Sequence, residues 1–328
     1  MSAATDLRTS TVIDIAGAQM GGAAKFLGEL TTYLAANPGR PIRLIGTDRS
    51  LDPDWLLRRE VAARGARRRI ALNNVGFAAG RSTITLLRNA LHFASAAELD
   101  ALHFRPTRTL RVQTRIVRAA AHRSDVLVVP CDAMAERVSL HAPRLAGKIV
   151  VRAHPVSSAP WAARSHADLD DPTILMPVLN APYKRLHLHI ERLIAALASS
   201  GEQATLVVTA DAAEFGPLGG HPGVHFTGPL KGEDLDRHWS RATAVYFPTQ
   251  LESFGYPLAE ARVNGLPVIA LDTAQNRQIA GAALRAFVPE DPDSLTVAVR
   301  NALTVPAQPD PGPFSPQAYF DWLLDTAC

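Results

Sequence analysis

The stretch Pro248-Thr-Gln-Leu-Glu-Ser-Phe-Gly-Tyr-Pro-Leu-Ala-Glu-Ala-Arg-Val-Asn-Gly-Leu-Pro-Val-Ile-Ala270 decides the fold. It sets two carboxylates, Glu252 and Glu260, eight positions apart, with Phe254-Gly255 and a helix start at Pro257 between them. Short apolar runs flank it, Ala244 to Phe247 before and Leu266 to Leu271 after, each the length of a buried strand. The order is strand, loop, helix, strand. Its acidic groups therefore lie at the mouth of a sheet, and open α/β sheets bind ligands at the carboxyl ends of their strands.

Working outward, the same alternation continues in both directions. Toward the N-terminus the apolar runs predict strands at Ile174 to Val178, Ala204 to Thr209 and Val224 to Thr227, with helices at Leu186 to Ser199 and Lys231 to Ser240. Toward the C-terminus come a helix from Pro292 to Leu303, a Pro-rich passage from Val305 to Pro313, and an amphipathic helix from Ser315 to Leu324. An earlier series begins with a strand at Thr11 to Ala16. The turn Gly17 to Gly22 leads to a helix over Ala23 to Ala36, closed by Asn37-Pro38-Gly39. Strands are expected at Pro41 to Gly46, Ser82 to Leu87, Val126 to Val129 and Lys148 to Arg152. Helices are expected at Leu110 to His122 and from Asp132, read as an N-cap, to Leu140. The small residues and proline of Ser157 to His166 suit a joint between two series. The predicted class is α/β, with two parallel-sheet domains and a cleft between them.

Length and composition agree. A chain of 328 residues suits two cores of roughly 150 residues each. No apolar run reaches the roughly 18 residues of a membrane span, and Met1 to Ser10 lack the apolar segment of a signal peptide. Two cysteines, Cys131 and Cys328, exclude a disulfide framework and argue against a cysteine metal site. The cytoplasm is the expected compartment. Charge is uneven: residues 1–167 carry 24 Lys and Arg against 12 Asp and Glu, a net +12, and residues 168–328 carry 10 against 19, a net −9. The densest basic segment holds Arg58, Arg59, Arg64, Arg67, Arg68 and Arg69. It reads either as a solvated helix face or as a peripheral contact with an anionic membrane surface or acidic acceptor. No aromatic platform accompanies it, so nucleic acid is not an expected partner.

Several residues sit where chemistry is expected. Gly21 and Gly22, between the first strand and helix, permit close approach of a ligand, and free N–H groups at a helix start favour an anion. An ordinary tight turn has the same sequence. The segment is neither a Walker A loop nor a dinucleotide fingerprint. Lys184 and Arg185 follow the first strand of the second series. They can hold a diphosphate and stabilise charge on a departing nucleotide, or simply face solvent. His154 ends a strand of the first series and His92 follows another. Each can approach a substrate or pack structurally, and neither is assigned as general base. The Asp-Pro-Asp triplets at Asp52 to Asp54 and Asp291 to Asp293 read as proline turns with helix caps rather than metal sites.

The order Glu252, Phe254-Gly255, Pro257, Glu260 and Asn264-Gly-Leu-Pro-Val-Ile resembles the E-x7-E region of retaining GT-B glycosyltransferases of family 4, the group 1 glycosyl transferases. The resemblance is strong from Val224 to Ala283, moderate from Thr107 to Val156 and weak from Leu51 to Ala101. It implies two Rossmann-like domains whose parallel sheets face each other across a cleft. The N-terminal, acceptor-side domain spans 1–156, a linker 157–169, and the nucleotide-sugar-binding domain 170–312. A terminal helix, 313–328, crosses back to the first domain. It also implies transfer of a sugar from a nucleotide-diphosphate sugar, with retention of configuration, no cofactor and no metal. By the same resemblance Lys184, Glu252 and His154 serve the chemistry. Gly21, Gly22, Arg185, Ser253, Phe254, Gly255 and Glu260 bind the donor, Glu252 at the transferred sugar and Glu260 at the ribose. Lys25 and His92 lie on the acceptor side. The acceptor class stays open between a small molecule, a lipid-linked sugar and a saccharide. The chain departs from the family pattern twice: Leu179 and Asn180 stand where an Arg is usual, and Arg277-Gln278 where Pro-Glu is usual. These departures raise one alternative, a catalytically silent relative acting as a binding subunit; another GT-B enzyme, such as an epimerase or hydrolase, is a separate one.

Overall fold

The computed structural model describes residues 11–18, 20–158 and 171–325. Most of the expected linker, from residue 159 to 169, lies outside the described residues, as do Met1 to Ser10 and Cys328. Two six-stranded sheets form, and every strand pair in both is parallel.

The first sheet contains β1 (Thr11–Asp14), β2 (Ile42–Ile45), β3 (Arg68–Ala71), β4 (Thr83–Leu86), β5 (Val126–Val129) and β6 (Ile149–Val151), in the order β2-β1-β3-β4-β5-β6. Its principal helices are α1 (Gly21–Ala36), α2 (Pro53–Ala62), α3 (Ala96–Ala101), α4 (Arg108–Ala121) and α5 (Asp132–His141). The second sheet contains β7 (Thr173–Met176), β8 (Thr205–Val208), β9 (Val224–Phe226), β10 (Ala244–Phe247), β11 (Val268–Leu271) and β12 (Leu284–Phe287), in the order β12-β11-β10-β7-β8-β9. Its helices are α6 (Leu186–Ser200), α7 (Gly232–Arg241), α8 (Tyr256–Val263), α9 (Ala274–Ala280) and α10 (Pro292–Thr304). The chain leaves β7 for β8 and β9 on one side, then returns to β10 on the other. The switch point between β7 and β10 is where such sheets open a crevice for ligand.

The last helix, α11 (Pro316–Asp325), packs on α1. Tyr319, Phe320, Leu323 and Leu324 are buried with Phe26, Leu30 and Tyr33. The Tyr33 hydroxyl donates to Asp321 at 2.6 Å, and Arg40 bridges Asp321 and Asp325. One apolar cluster runs through both halves, from Leu127 and Val129 of β5 through Phe254 and Phe314 to Val245 and Phe247 of β10.

Two local expectations change and a third holds. The basic segment from Arg58 to Arg69 is not one face. It spans the end of α2, a turn and the start of β3. Arg58, Arg64 and Arg67 are exposed, whereas Arg59 is 1% exposed and ion-paired with the fully buried Asp14 at 2.9 Å. Arg69 pairs with Glu60 at 3.3 Å. A continuous patch for an anionic membrane is therefore broken up by internal pairing. Asp132 is the first residue of α5 and not its N-cap, which is Cys131. Both Asp-Pro-Asp triplets do cap helices: Asp52 accepts from the Trp55 N–H, and Asp291 from those of Asp293 and Ser294. Among the described residues, no helix is long and apolar enough to cross a membrane.

Candidate active site

The site is assembled at the carboxyl ends of β7 and β10, facing that of β1. After β10 the chain runs through Glu252 to Gly255, the N-cap of α8, at φ 83°. Only glycine takes this left-handed conformation freely, and a Cβ here would also lie 2.9 Å from Leu258 Cδ1 and 3.2 Å from Phe247 Cε1. The turn aims Glu252 toward the end of β7, where Pro182–Lys184 forms a short 3-10 turn. Lys184 Nζ lies 3.5 Å from Glu252 Oε1, with both side chains largely buried. Arg185 follows at φ 49° and begins α6. A left-handed non-glycine residue is uncommon and marks a junction fixed by its surroundings.

Glu260 projects from α8 and is ion-paired with Lys25 of α1, across the two sheets. Burial pushes the Glu252 and Glu260 carboxyls up, and the adjacent Lys184 and Lys25 cations pull them back in part. Gly21 and Gly22 open α1, whose N-cap, Met20, makes no side-chain hydrogen bond. Orphan N–H groups remain at such a start. Gly21 has φ 55°, and a Cβ there would lie 3.2 Å from Leu179 of the second half. At Gly22 a Cβ would fall 2.8 Å from the Tyr256 ring. The glycine pair is thus what lets the two halves meet.

Further contacts cross the cleft. The Ser253 hydroxyl donates to the Arg88 carbonyl at 2.7 Å, and Cys131 Sγ donates to the Ser253 carbonyl at 3.2 Å. Arg137 reaches the Glu252 carbonyl at 3.4 Å and Gln275 at 3.3 Å. Asp132 and Gln278 exchange two hydrogen bonds, of 3.0 and 2.9 Å. Gln278, where the family resemblance leads one to expect Glu, therefore ties α9 to α5.

The structure gathers Gly21, Gly22, Lys25, Lys184, Glu252, Ser253, Gly255 and Glu260 around the cleft. Three of the expected site residues, Phe254, His154 and His92, have buried side chains. Phe254 is 1% exposed, and its ring packs on His154, Tyr256 and Phe314. His154 is 1% exposed and ringed by Phe26, Phe254, Tyr256 and Tyr319. Burial, then the Arg88 charge, holds its imidazole well below the usual histidine range. His92 is buried beside α4, with Nδ1 3.1 Å from the Thr114 hydroxyl, and burial and Arg118 push its pKa down to about 4. Arg88, Tyr256 and Arg137 belong to the cleft but were not singled out from sequence. For Arg88 the signal was its place just after a predicted strand. Of two surface depressions, one touches the cleft residue Arg137 and the other lies away from the cleft. One of about 430 Å³ is bordered by Glu98, Glu136, Arg137 and His141. The other, of about 350 Å³, lies between β9 and α7.

A family profile described as Glycosyl transferases group 1 matches residues 173–304. No curated protein matches the chain. Among solved structures, a sucrose-phosphate synthase from Thermosynechococcus elongatus superposes with a TM-score of 0.66 at 17% identity, over 96% of each chain. The fold is GT-B. WaaG, a glycosyltransferase involved in lipopolysaccharide biosynthesis, gives a TM-score of 0.62 at 16% identity over 90% of each chain. AviGT4, a glycosyltransferase involved in avilamycin A biosynthesis, gives 0.59 at 17% identity over 97% of this chain and 99% of its own. In GT-B terms the cleft lies between the two sheets, and the profile match covers the half that carries Lys184, Glu252 and Glu260.

Proposed function

We propose that this chain is a glycosyltransferase that moves a sugar from a nucleotide-diphosphate sugar to an acceptor. The observation that carries the reading is the convergence of Glu252, Lys184 and Glu260 on the β7–β10 switch point, facing the Gly21-Gly22 turn. Carboxylates accept paired hydrogen bonds from vicinal hydroxyls, so Glu252 suits the transferred sugar and Glu260 the ribose. Lys184 and Arg185, with the uncapped N–H groups of α1, suit the diphosphate and the charge that grows on it as the sugar departs. Front-side attack with retention, without metal or cofactor, is the mechanism we assign, as family 4 would have it. The acceptor approaches from the first half, beside Arg137 and the depression it borders. Closure of the cleft excludes water from the reacting bond.

The test begins with thermal stabilisation by UDP, GDP, ADP and dTDP and their sugars, because ligand bound to the native state raises the melting temperature. One nucleotide should stand out, and product analysis with that donor should show transfer. The absence of Arg at 179 and 180 favours a second reading, a donor-binding relative without turnover. Stabilisation without any transferred, hydrolysed or epimerised sugar would select it. No stabilisation by any nucleotide would overturn the donor site itself.

A further inference from the structure

We propose that Arg88 is the positioning residue that sets the Gly21-Gly22 turn and supplies, from beneath it, positive charge for the donor diphosphate. The inference rests on the donor-site reading above. Arg88 follows β4 at its carboxyl end. Its Nη2 donates to the Gly22 carbonyl at 2.6 Å, its Nη1 to the Leu72 carbonyl at 3.4 Å, and its guanidinium stacks 4.6 Å over the Phe26 ring. Its own N–H donates to Asn74 at 2.5 Å, and its carbonyl accepts from the Ser253 hydroxyl. One residue thus links the glycine turn of the first half to the Glu252–Gly255 loop of the second.

Its charge is uncompensated. Lys25 is paired with Glu260, Lys184 with Glu252, and the buried Arg59 with Asp14. Among the described residues, no carboxylate pairs with Arg88. Removing a cation from water without a counter-ion costs several kcal/mol, roughly, so a fold keeps one only where something offsets it. Two backbone carbonyls and the Phe26 ring offset part of that cost, and no carboxylate among the described residues offsets the rest. The chamber around it is built from Phe26, His154, Tyr256 and Tyr319. Both His154 ring nitrogens and the Tyr256 and Tyr319 hydroxyls are buried without a hydrogen-bond partner among the described residues. The open side is the glycine turn, where the first N–H groups of α1 are uncapped and no acidic residue stands in the first turn. An anion on that turn would meet the N–H groups directly and the Arg88 charge through one peptide.

The experiment is calorimetric titration of UDP, GDP, ADP and dTDP, each against its free nucleoside, into wild type, Arg88→Met and Arg88→Lys. The expected result is an about tenfold or greater loss of diphosphate affinity in Arg88→Met, the size of one charge-assisted hydrogen bond. Nucleoside affinity should be unchanged, and Arg88→Lys should recover most of the loss. If Arg88→Met does not fold, Arg88→Gln gives the same contrast, because it keeps a donor for Gly22 without the charge. Equal losses for nucleoside and diphosphate would mean a structural role only and overturn the inference. Wild-type diphosphate affinity in the variant would overturn it and leave the donor site standing. A wild-type chain that binds none of the diphosphates would overturn both.

Discussion

Glu252 and His154 answer acid in opposite directions, and the difference is measurable. Glu252 is held largely out of water, so its folded-state pKa lies above the unfolded value of about 4.3. The folded chain then binds the proton more tightly. The stability this group contributes is present at low pH and falls as pH rises through the carboxylate range. His154 is the reverse. Its folded pKa lies below the unfolded value of about 6.5, so its contribution is full above that pH and falls as acid is added. Glu252→Gln, which mimics the protonated acid, should therefore melt above wild type at pH 8, with a gain that shrinks toward pH 5 while donor binding suffers. His154→Phe, which keeps a ring in the aromatic cage, should gain on wild type as pH drops below about 6.5. Melting curves of the three proteins from pH 8 to pH 5 decide this; flat differences for both variants would mean that burial does not govern either group. Much of the site was legible at this scale because Glu252, Glu260, Lys184 and Gly21-Gly22 follow strand-like runs and carry ligand-type groups. The pairing of Lys25 with Glu260 was not legible. It joins residues 235 positions apart, and nothing local specifies it.

At the scale of elements, the strands that read most clearly were those buried on both faces, such as Val126–Val129 and Ala244–Phe247, because an unbroken apolar run has few other uses. β3 was hidden because it begins with Arg68 and Arg69, whose charges are turned to partners while Ile70 and Ala71 carry the burial. α9 was hidden for a related reason. Its buried Gln275 and Asn276 break the apolar period, and they are buried because they bond across the cleft and to the Leu271 carbonyl. The meeting of the glycine turn with α8 makes a sharper prediction. Gly22 stands in an ordinary helical conformation, and alanine is the better helix former by about 1 kcal/mol. The only obstacle to alanine is the Tyr256 ring at 2.8 Å. Gly22→Ala should therefore lower kcat/KM by about tenfold or more, a cost near 1.4 kcal/mol, and lower thermal stability as well, because the Tyr256 ring must shift to admit the Cβ. Adding Tyr256→Ala should restore part of that loss. Full activity in the single variant would show that closure of this contact is not needed for turnover.

At the scale of the whole molecule, the apolar cluster that threads both sheets argues against two independent domains. Interfaces within a chain permit motion by default, unless they are large and hydrophobic. Here the polar contacts at the cleft range from the Ser253 hydroxyl on the Arg88 carbonyl at 2.7 Å to Arg137 on the Glu252 carbonyl at 3.4 Å. The apolar contacts beside them are fully buried, with Phe254 and Phe314 each 1% exposed and their rings 6.1 Å apart. Phe314 also accepts, through its carbonyl, the Val156 N–H at 3.0 Å, and α11 goes on from there to complete the core of the first half. On the proposed function, the polar contacts break to admit and release nucleotide while Phe254 and Phe314 stay packed as the pivot. Calorimetry should show one cooperative transition in wild type. Phe314→Ala, which removes about 3–5 kcal/mol of packing, should split it into two. A nucleoside diphosphate should then raise the transition of the second half, which holds Lys184, Glu252 and Glu260, more than that of the first. Two transitions already present in wild type would mean that the shared cluster does not couple the halves, and that the cleft opens by separation rather than about a packed pivot.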